Sequence, residues 1–101
     1  MSRVFEKFII EGTNLILGKC TYHRQLVTNR DNVRGGGMYS FNSETNSYTL
    51  RGKSHEFGYA ELDDIQECVR SGKVYGDKRL RRNLSNSKFY YNTQVEIIPL
   101  N

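Results

Sequence analysis

The run Gly37-Met38-Tyr39-Ser40-Phe41, followed by a polar stretch and then by Tyr48-Thr49-Leu50-Arg51, decides the fold. In the first run the aromatic residues Tyr39 and Phe41 recur at every second position, which is typical of a half-buried strand. Residues 42–47 in between are all polar, as in a hairpin loop. The sequence therefore predicts a β-hairpin over residues 37–51.

Two further strands precede this hairpin. Residues 4–10 are mainly β-branched and aromatic, and residues 15–20 are mostly apolar, and both compositions favour strands. The turn signal in residues 11–14 predicts that the two strands pair in an antiparallel manner. Residues 23–27 leave the type of element open, with a short helix as one candidate, and the polar stretch 28–32 ends that segment.

After the hairpin, the spacing of the apolar residues changes from that of a strand to that of a helix. Apolar residues between Ala60 and Arg70 recur at spacings that share one face of an α-helix. Ser71-Gly72 gives a C-terminal stop for this helix. Further strands are predicted over residues 73–75, 88–91 and 95–98.

These elements predict one α+β domain over residues 1–101. We expect a mixed, mostly antiparallel β-sheet with one main helix packed on it and, at residues 23–27, a candidate second short helix. A basic loop and a C-terminal hairpin occupy residues from about 76 to 101. The chain length fits a single domain.

Composition and charge narrow the classes of function. The formal net charge of +4 and the pI of about 9.2 favour a polyanionic partner. The sequence has no apolar run of transmembrane length and no secretory signal at its N-terminus, so we expect no membrane association and a cytoplasmic location. Cys20 and Cys68 are far apart in sequence, which favours reduced, partly buried thiols.

The segment Gly52-Lys53-Ser54-His55-Glu56-Phe57-Gly58 lies between the hairpin and the helix. A tight loop at a helix N-terminus leaves backbone N–H groups facing outward, and phosphate is the usual ligand of such a loop. We expect the amides of Ser54 and His55 to bind an anion because they precede the helix by a few residues. The alternative is that Ser54 simply caps the turn that follows it.

His23 is the candidate catalytic residue. Imidazole titrates near neutrality and can act as a general base or a nucleophile toward phosphorus, although a lone histidine at a strand end is more often structural. Arg24 offers a bidentate contact to phosphate, and His55 offers either a second proton-transfer group or an exposed side chain. Lys7 interrupts an apolar strand, so it either reaches into a site or extends to solvent. The distant histidines and cysteines predict no metal site, and no cofactor is indicated.

Four segments carry a family resemblance: Phe5-Glu6-Lys7-Phe8-Ile9-Ile10, Tyr22-His23-Arg24, Gly35-Gly36-Gly37 and Leu50-Arg51-Gly52-Lys53-Ser54-His55-Glu56-Phe57-Gly58. Their order and most of their spacings resemble those of the phosphohistidine phosphatase (Janus) family of small α+β proteins. The resemblance covers roughly residues 4–70. Its most specific part is the Gly triplet combined with the Ser-x-x-Phe-Gly loop.

The resemblance implies a central mixed sheet and a phosphate that is held by main-chain N–H groups. It makes His23 the base that activates water, or the nucleophile, in hydrolysis of a phosphoramidate or phosphoester. The amides that it implies are those of His23, Arg24, Ser54 and Glu56. The complete set of predicted site residues is His23 as the catalytic group and Lys7, Tyr22, Arg24, Arg34, Ser54, His55 and Glu56 as substrate-binding groups.

Three features depart from the family pattern, and one of them is that the tail from Gly76 to Asn101 extends past the family's usual end. The segment between His23 and Gly35 is short, which indicates that the helix expected after the active-site histidine is shortened or missing. Glu56 also introduces a carboxylate into the proposed anion loop, where it would repel phosphate unless it points away.

Three functions remain open. The first is a phosphohydrolase that acts on a phosphorylated small molecule or a phosphoprotein. The second is a non-catalytic binder that sequesters a phosphorylated or nucleotide-derived signal, as a viral protein that blunts host signalling would do. The third is a nucleic-acid binder that uses the basic cluster Lys78–Arg82 with Tyr75, Tyr90 and Tyr91 as stacking surfaces, although a solvated loop and buried sheet tyrosines are the commoner explanations of these features.

Overall fold

The computed structural model describes residues 4–76, 88–91 and 95–97, the last two ranges by their backbone. The basic cluster at 78–82, on which the nucleic-acid interpretation depends, lies outside these residues. The elements are β1 (Phe5–Glu11), β2 (Asn14–Cys20), 3₁₀ helices at His23–Leu26 and Arg30–Asn32, β3 (Val33–Asn42), β4 (Ser47–Arg51), α1 (Leu62–Arg70), β5 (Val74–Tyr75), β6 (Lys88–Tyr91) and β7 (Val95–Ile97).

The described strands form one mixed sheet in the order β5-β2-β1-β3-β4-β6-β7. The pairs β1–β2, β1–β3, β3–β4 and β6–β7 are antiparallel. The pairs β2–β5 and β4–β6 are parallel. The predicted fold class, an α+β protein with a mixed, mostly antiparallel sheet and one main helix, is confirmed.

The hairpin that decided the fold is formed by β3 and β4. Tyr39 pairs with Leu50, and Phe41 pairs with Tyr48. Strand β3 begins at Val33, earlier than the sequence predicts, because residues 33–37 continue the strand by pairing with β1. The Gly triplet is therefore part of a central strand.

The main core lies between the sheet and α1. Buried side chains of the helix, among them Ile65 and Val69, pack in the same cluster as Phe8 and Ile10 of β1. Full burial of such a side chain stabilises the fold by about 1.5–3 kcal/mol. The residues of β1 that alternate with Phe8 and Ile10, including Lys7, consequently face the opposite side of the sheet.

Helix α1 begins at Leu62, two residues later than the sequence predicts, with Glu61 as its N-cap residue. It ends in a Schellman motif, because the amide of Lys73 donates to the Cys68 carbonyl at 2.9 Å and that of Gly72 to the Val69 carbonyl at 3.1 Å. Gly72 has a φ of +71°, which glycine adopts without strain. No helix in the described part of the chain is long and apolar enough to cross a membrane.

The segment after β2 forms a single 3₁₀ turn, His23–Leu26. The side chain of Gln25 folds back, and its Oε1 accepts hydrogen bonds from the amides of Thr21 and Tyr22 at 2.8 and 2.9 Å. A second 3₁₀ turn at Arg30–Asn32 leads directly into β3. The short spacing between His23 and Gly35 thus accommodates no α-helix.

Both cysteines are free and buried, as the sequence predicts. The Sγ atom of Cys68 lies 3.1 Å from the Thr13 carbonyl oxygen. Burial raises the pKa of Cys68 to about 11, so this thiol is not a nucleophile at neutral pH.

Candidate functional site

A pocket of about 330 Å³ lies on the sheet face opposite to α1. It is bounded by the first half of β1, the start of the first 3₁₀ helix, one residue of β3 and the loop that follows β4. Its lining residues are Phe5, Lys7, Tyr22, His23, Met38, Lys53, Ser54, His55 and Glu56. The pocket therefore brings together the Tyr22-His23 segment and the 52–58 loop, which are distant in sequence.

The floor of the pocket comes from neighbouring strands. Lys7 of β1 and Met38 of β3 are register partners, so their side chains stand beside each other on one face. Phe5 shares this face because it lies two residues before Lys7 on the same strand. Phe5, Met38 and Lys53 are lining residues that were not among the predicted binding groups, although strand alternation already placed Phe5 beside Lys7.

The Gly triplet allows two other segments to approach β3 closely. A Cβ atom on Gly36 would lie 2.5 Å from the Phe8 carbonyl oxygen and 3.2 Å from Cδ2 of His23. A Cβ atom on Gly35 would lie 2.3 Å from the carbonyl oxygen of Tyr59. The imidazole ring of His23 can therefore lie directly on the strand backbone.

His23 is held by the strand on which it lies. Its side chain is buried, with 9% of the residue surface exposed, and its Nε2 atom lies 2.6 Å from the carbonyl oxygen of Gly37. Burial lowers the pKa of His23 below its ordinary value near 6.5, and this effect outweighs the Gly37 hydrogen bond, which raises it. The charges of Lys7 and His55 also lower the pKa, while Glu56 opposes them.

A neutral imidazole that bonds a carbonyl oxygen must donate the proton. The tautomer of His23 at neutral pH therefore carries its hydrogen on Nε2, where it donates to Gly37. The lone pair then resides on Nδ1, on the ring edge away from Gly36. This nitrogen can accept a proton or attack an electrophile.

The Ser54–Gly58 loop is closed by its own hydrogen bonds. The Ser54 amide donates to the carbonyl oxygens of Gly36 and Gly58 at 3.0 and 3.2 Å, and the Gly58 amide donates back to Ser54 at 2.9 Å. The Ser54 Oγ atom accepts hydrogen bonds from the amides of Glu56 and Phe57 at 3.2 and 3.1 Å. Ser54 thus caps the turn that follows it, which is the alternative that the sequence left open.

This geometry corrects two expectations about the loop. The amides of Ser54 and Glu56 already have partners inside the protein, so they are not the outward-facing donors that the resemblance implied. The loop also does not lie at a helix N-terminus, because α1 begins only at Leu62, after an extended connection. The helix dipole therefore makes no direct contribution to this pocket.

Other amides take the place of these donors. Among the described residues, no hydrogen bond engages the backbone N–H groups of His23, Arg24 and His55. His23 and Arg24 are the first two residues of a helical turn, where amides have no intrahelical partner. His23 and His55 both line the pocket, so each segment has one residue at the pocket whose amide has no partner among the described residues.

The charged side chains of the pocket are predominantly basic. The ammonium group of Lys7 donates one hydrogen bond to the Thr21 carbonyl, which leaves two of its N–H groups for a ligand. Lys53 also lines the pocket, and its Nζ atom lies 5.5 Å from the centre of the Tyr59 ring. The only carboxylate among the lining residues, that of Glu56, forms an ion pair with Arg30.

The remaining two predicted residues do not line the pocket. The Cζ atom of Arg24 lies 4.4 Å from the centre of the Tyr22 ring, so its guanidinium group covers that ring. The Nη1 atom of Arg34 lies 3.8 Å from Oδ1 of Asp64 on α1, which directs Arg34 away from the pocket. Within the part of the chain that the structure describes, no group of histidine, cysteine, aspartate or glutamate side chains is arranged to hold a metal ion.

Comparisons of this chain with protein-family models, with curated proteins and with solved structures find no match. The family resemblance therefore rests on the four sequence segments alone.

Proposed function

We propose that this protein recognises phosphate in the pocket between β1, residues 22–23 and residues 53–56, and hydrolyses a phosphoramidate or phosphoester there with His23 as the catalytic residue. The observation that carries the proposal is that Tyr22-His23 and Lys53–Glu56 line one pocket. These are the segments that resemble the phosphohistidine phosphatase family.

The charge of the pocket supports an anionic ligand. Lys7 and Lys53 both line it, and the carboxylate of Glu56 is neutralised by Arg30. A phosphate dianion between the two ammonium groups would form charge-assisted hydrogen bonds, each contributing about 1.5–3 kcal/mol.

The unengaged amides of His23 and His55 supply the neutral donors of the proposed site. Backbone N–H groups that converge on an anion form the kind of cavity in which phosphate binds in many proteins. Their positions are fixed before the ligand arrives, because Gln25 holds the first turn and Ser54 holds the loop. Binding therefore requires little ordering of the backbone.

The chemistry assigned to His23 follows from its tautomer. Nδ1 accepts a proton from water while the water oxygen forms a bond to phosphorus and the P–N or P–O bond to the leaving group breaks. The leaving group takes up a proton, for which the exposed side chain of His55 is the nearest imidazole source in this pocket. Because the pKa of His23 lies below its ordinary value near 6.5, we expect the rate to fall on acidification only at a pH below that ordinary value.

Replacement of His23 by glutamine tests the proposed chemistry. The amide of glutamine can still donate to the Gly37 carbonyl, but it has no basic nitrogen. We expect H23Q to release phosphate from phosphoramidate about 100- to 10,000-fold more slowly than the wild-type protein, with a similar melting temperature.

The matched control is H55Q, which keeps the His23 base and should retain more activity than H23Q. Equal turnover by H23Q and the wild-type protein would remove His23 from the mechanism. If the wild-type protein binds phosphate compounds but returns them intact, the hydrolytic part of the proposal is wrong, and sequestration is the better description.

A further inference from the structure

We infer that the ligand of this pocket carries a flat aromatic group a short distance from its phosphate, and that it is a mononucleotide. This inference rests on the proposed phosphate site and names the class of molecule that the site takes. Its evidence is the pair of exposed aromatic side chains, Phe5 and Tyr22, that line the same pocket as the basic groups.

Four large aromatic side chains of the described residues are exposed: Phe5 (40%), Tyr22 (52%), Tyr59 (63%) and Tyr75 (51%). Of these four, Phe5 and Tyr22 line the pocket. Large apolar side chains that remain exposed beside a pocket commonly contact a ligand. A phosphate alone would leave these two rings without a function in binding.

Each ring lies beside a cationic side chain. The Tyr22 ring is covered by the guanidinium group of Arg24, which does not line the pocket and so approaches the ring from outside it. Phe5 lies on β1 opposite Cys20, and the Nζ atom of Lys7 is 5.7 Å from the centre of its ring. A ligand ring could therefore stack on these side chains at a small entropic cost.

One distance on β1 bears on how far the aromatic group of the ligand lies from its phosphate. The Nζ atom of Lys7, which is one of the groups proposed to bind the phosphate, lies 5.7 Å from the centre of the Phe5 ring. A ribose between base and phosphate spans such a separation, whereas an aryl phosphate carries its ring directly on the phosphate oxygen.

The pocket volume agrees with one small molecule. Pockets for small ligands run from about 300 to 1,000 Å³, and this one has about 330 Å³. That volume exceeds the needs of inorganic phosphate and accommodates a single nucleotide rather than an oligonucleotide.

Isothermal titration calorimetry with AMP, UMP, ribose 5-phosphate, phenyl phosphate and inorganic phosphate tests this inference. Since stacking of one base on an aromatic side chain improves affinity by about 5- to 100-fold, we expect AMP to bind more tightly than ribose 5-phosphate by a factor in that range. Y22L should remove most of this difference by weakening the binding of AMP more than that of ribose 5-phosphate.

Y75L is the matched control, because Tyr75 is 51% exposed on the edge strand β5 and does not line the pocket. This variant should bind AMP as the wild-type protein does. Equal affinities for AMP and ribose 5-phosphate would overturn the inference while leaving the phosphate site intact. Phenyl phosphate binding as tightly as AMP would also overturn the assignment to a nucleotide. If none of the five compounds binds, the proposed function falls together with the inference.

Discussion

The two segments that meet at the pocket use their backbone amides in opposite ways. In the Ser54–Gly58 loop, the amides of Ser54, Glu56, Phe57 and Gly58 all donate to acceptors within the protein. In the turn that begins at His23, the first two amides have no partner among the described residues. The Ser54–Gly58 loop, which the sequence indicated as the anion-binding loop, therefore uses more of its amides within the protein than the turn at His23 does.

The physical reason lies in where each side-chain acceptor is placed. The Ser54 Oγ atom lies inside its turn and accepts from amides two and three residues later. The Gln25 Oε1 atom reaches back to Thr21 and Tyr22, ahead of the helical turn, and so leaves the amides of the turn itself available. The Ser54 cap therefore uses the amides of its own loop, whereas the Gln25 cap leaves the first amides of the 3₁₀ turn available to a ligand.

The largest expected effect on stability comes from adding a side chain at Gly36, the residue of β3 against which the His23 ring lies. In G36A the new Cβ atom would lie 2.5 Å from a backbone oxygen of β1, which cannot move without displacing the strand. We expect a loss of about 3 kcal/mol or more in the free energy of unfolding, measured by urea denaturation.

G18A is the control, because its Cβ atom would meet only the end of the Leu26 side chain, at 2.8 Å. That side chain can rotate, so we expect a smaller loss for G18A. If G36A were as stable as the wild-type protein, the close approach of the β1 backbone to Gly36 would be incorrect.

The next prediction compares how much the Ser54 and Gln25 side chains contribute to the free energy of unfolding. S54A removes an acceptor of two amides from a residue that is only 1% exposed, and we expect it to lower the free energy of unfolding by about 1–3 kcal/mol. Q25A removes an acceptor of two amides from an exposed side chain, where water can replace it, so a loss below about 1 kcal/mol is expected. Chemical denaturation of both variants measures the difference, and a larger loss for Q25A would contradict the description of the loop as the segment that uses more of its amides within the protein.

A third prediction concerns Thr28 and Asn29, which follow the 3₁₀ turn that begins at His23. The buried carboxylate of Glu11 accepts hydrogen bonds from the Thr28 side chain and from the amides of Thr28 and Asn29. Burial raises the pKa of Glu11, but these hydrogen bonds outweigh burial and hold it below the ordinary value of 4.5. E11Q should therefore lower stability by about 1 kcal/mol at pH 7.

The effect of E11Q should depend on pH in a definite direction. Because the folded-state pKa is lowered, the contribution of the carboxylate is fully present above about pH 4.5 and is lost as the pH falls through the folded value. Unfolding curves of the wild-type protein and E11Q should converge at low pH. A difference in stability that stays constant from pH 7 down to pH 3 would show that the charge of Glu11 has no part in holding the connection.

The smallest effect on stability is expected at the ion pair between Glu56 and Arg30. Both groups are partly exposed, so E56Q should change the free energy of unfolding by less than about 1 kcal/mol. The same change removes a negative charge from the pocket, and we expect phosphate to bind a few-fold more tightly. E67Q, which removes a carboxylate from the exposed face of α1, should leave phosphate affinity unchanged. Weaker phosphate binding by E56Q would contradict the proposed place of the anion.

The sequence predicts the fold better than it predicts the site because the fold depends on periodicity. The alternation in residues 37–51 and the helical spacing after Ala60 gave the hairpin and α1 to within a few residues. The earlier start of β3 at Val33 could not be predicted, since it depends on pairing with β1 across the sheet.

Which residues line the pocket depends on the directions in which their side chains point, and a sequence pattern does not specify these directions. His23, Lys7 and the 54–56 loop reach one pocket, whereas Arg34 faces Asp64 on α1. Which amides remain available is decided by individual side-chain hydrogen bonds, and no pattern of residue types distinguishes the Ser54 cap from an open anion loop. Phe5 is the exception, because strand alternation places it beside Lys7.

The central claim is that one amide from each segment, His23 and His55, binds a phosphate group. Titration of the ¹⁵N-labelled protein with inorganic phosphate, followed by amide ¹H–¹⁵N spectra, tests this claim most directly. The account predicts the largest saturable shifts at the amides of His23 and His55 and smaller ones at Ser54 and Glu56, which are already hydrogen-bonded. Shifts confined to residues outside the pocket, or no saturable shift at His23 and His55, would contradict it.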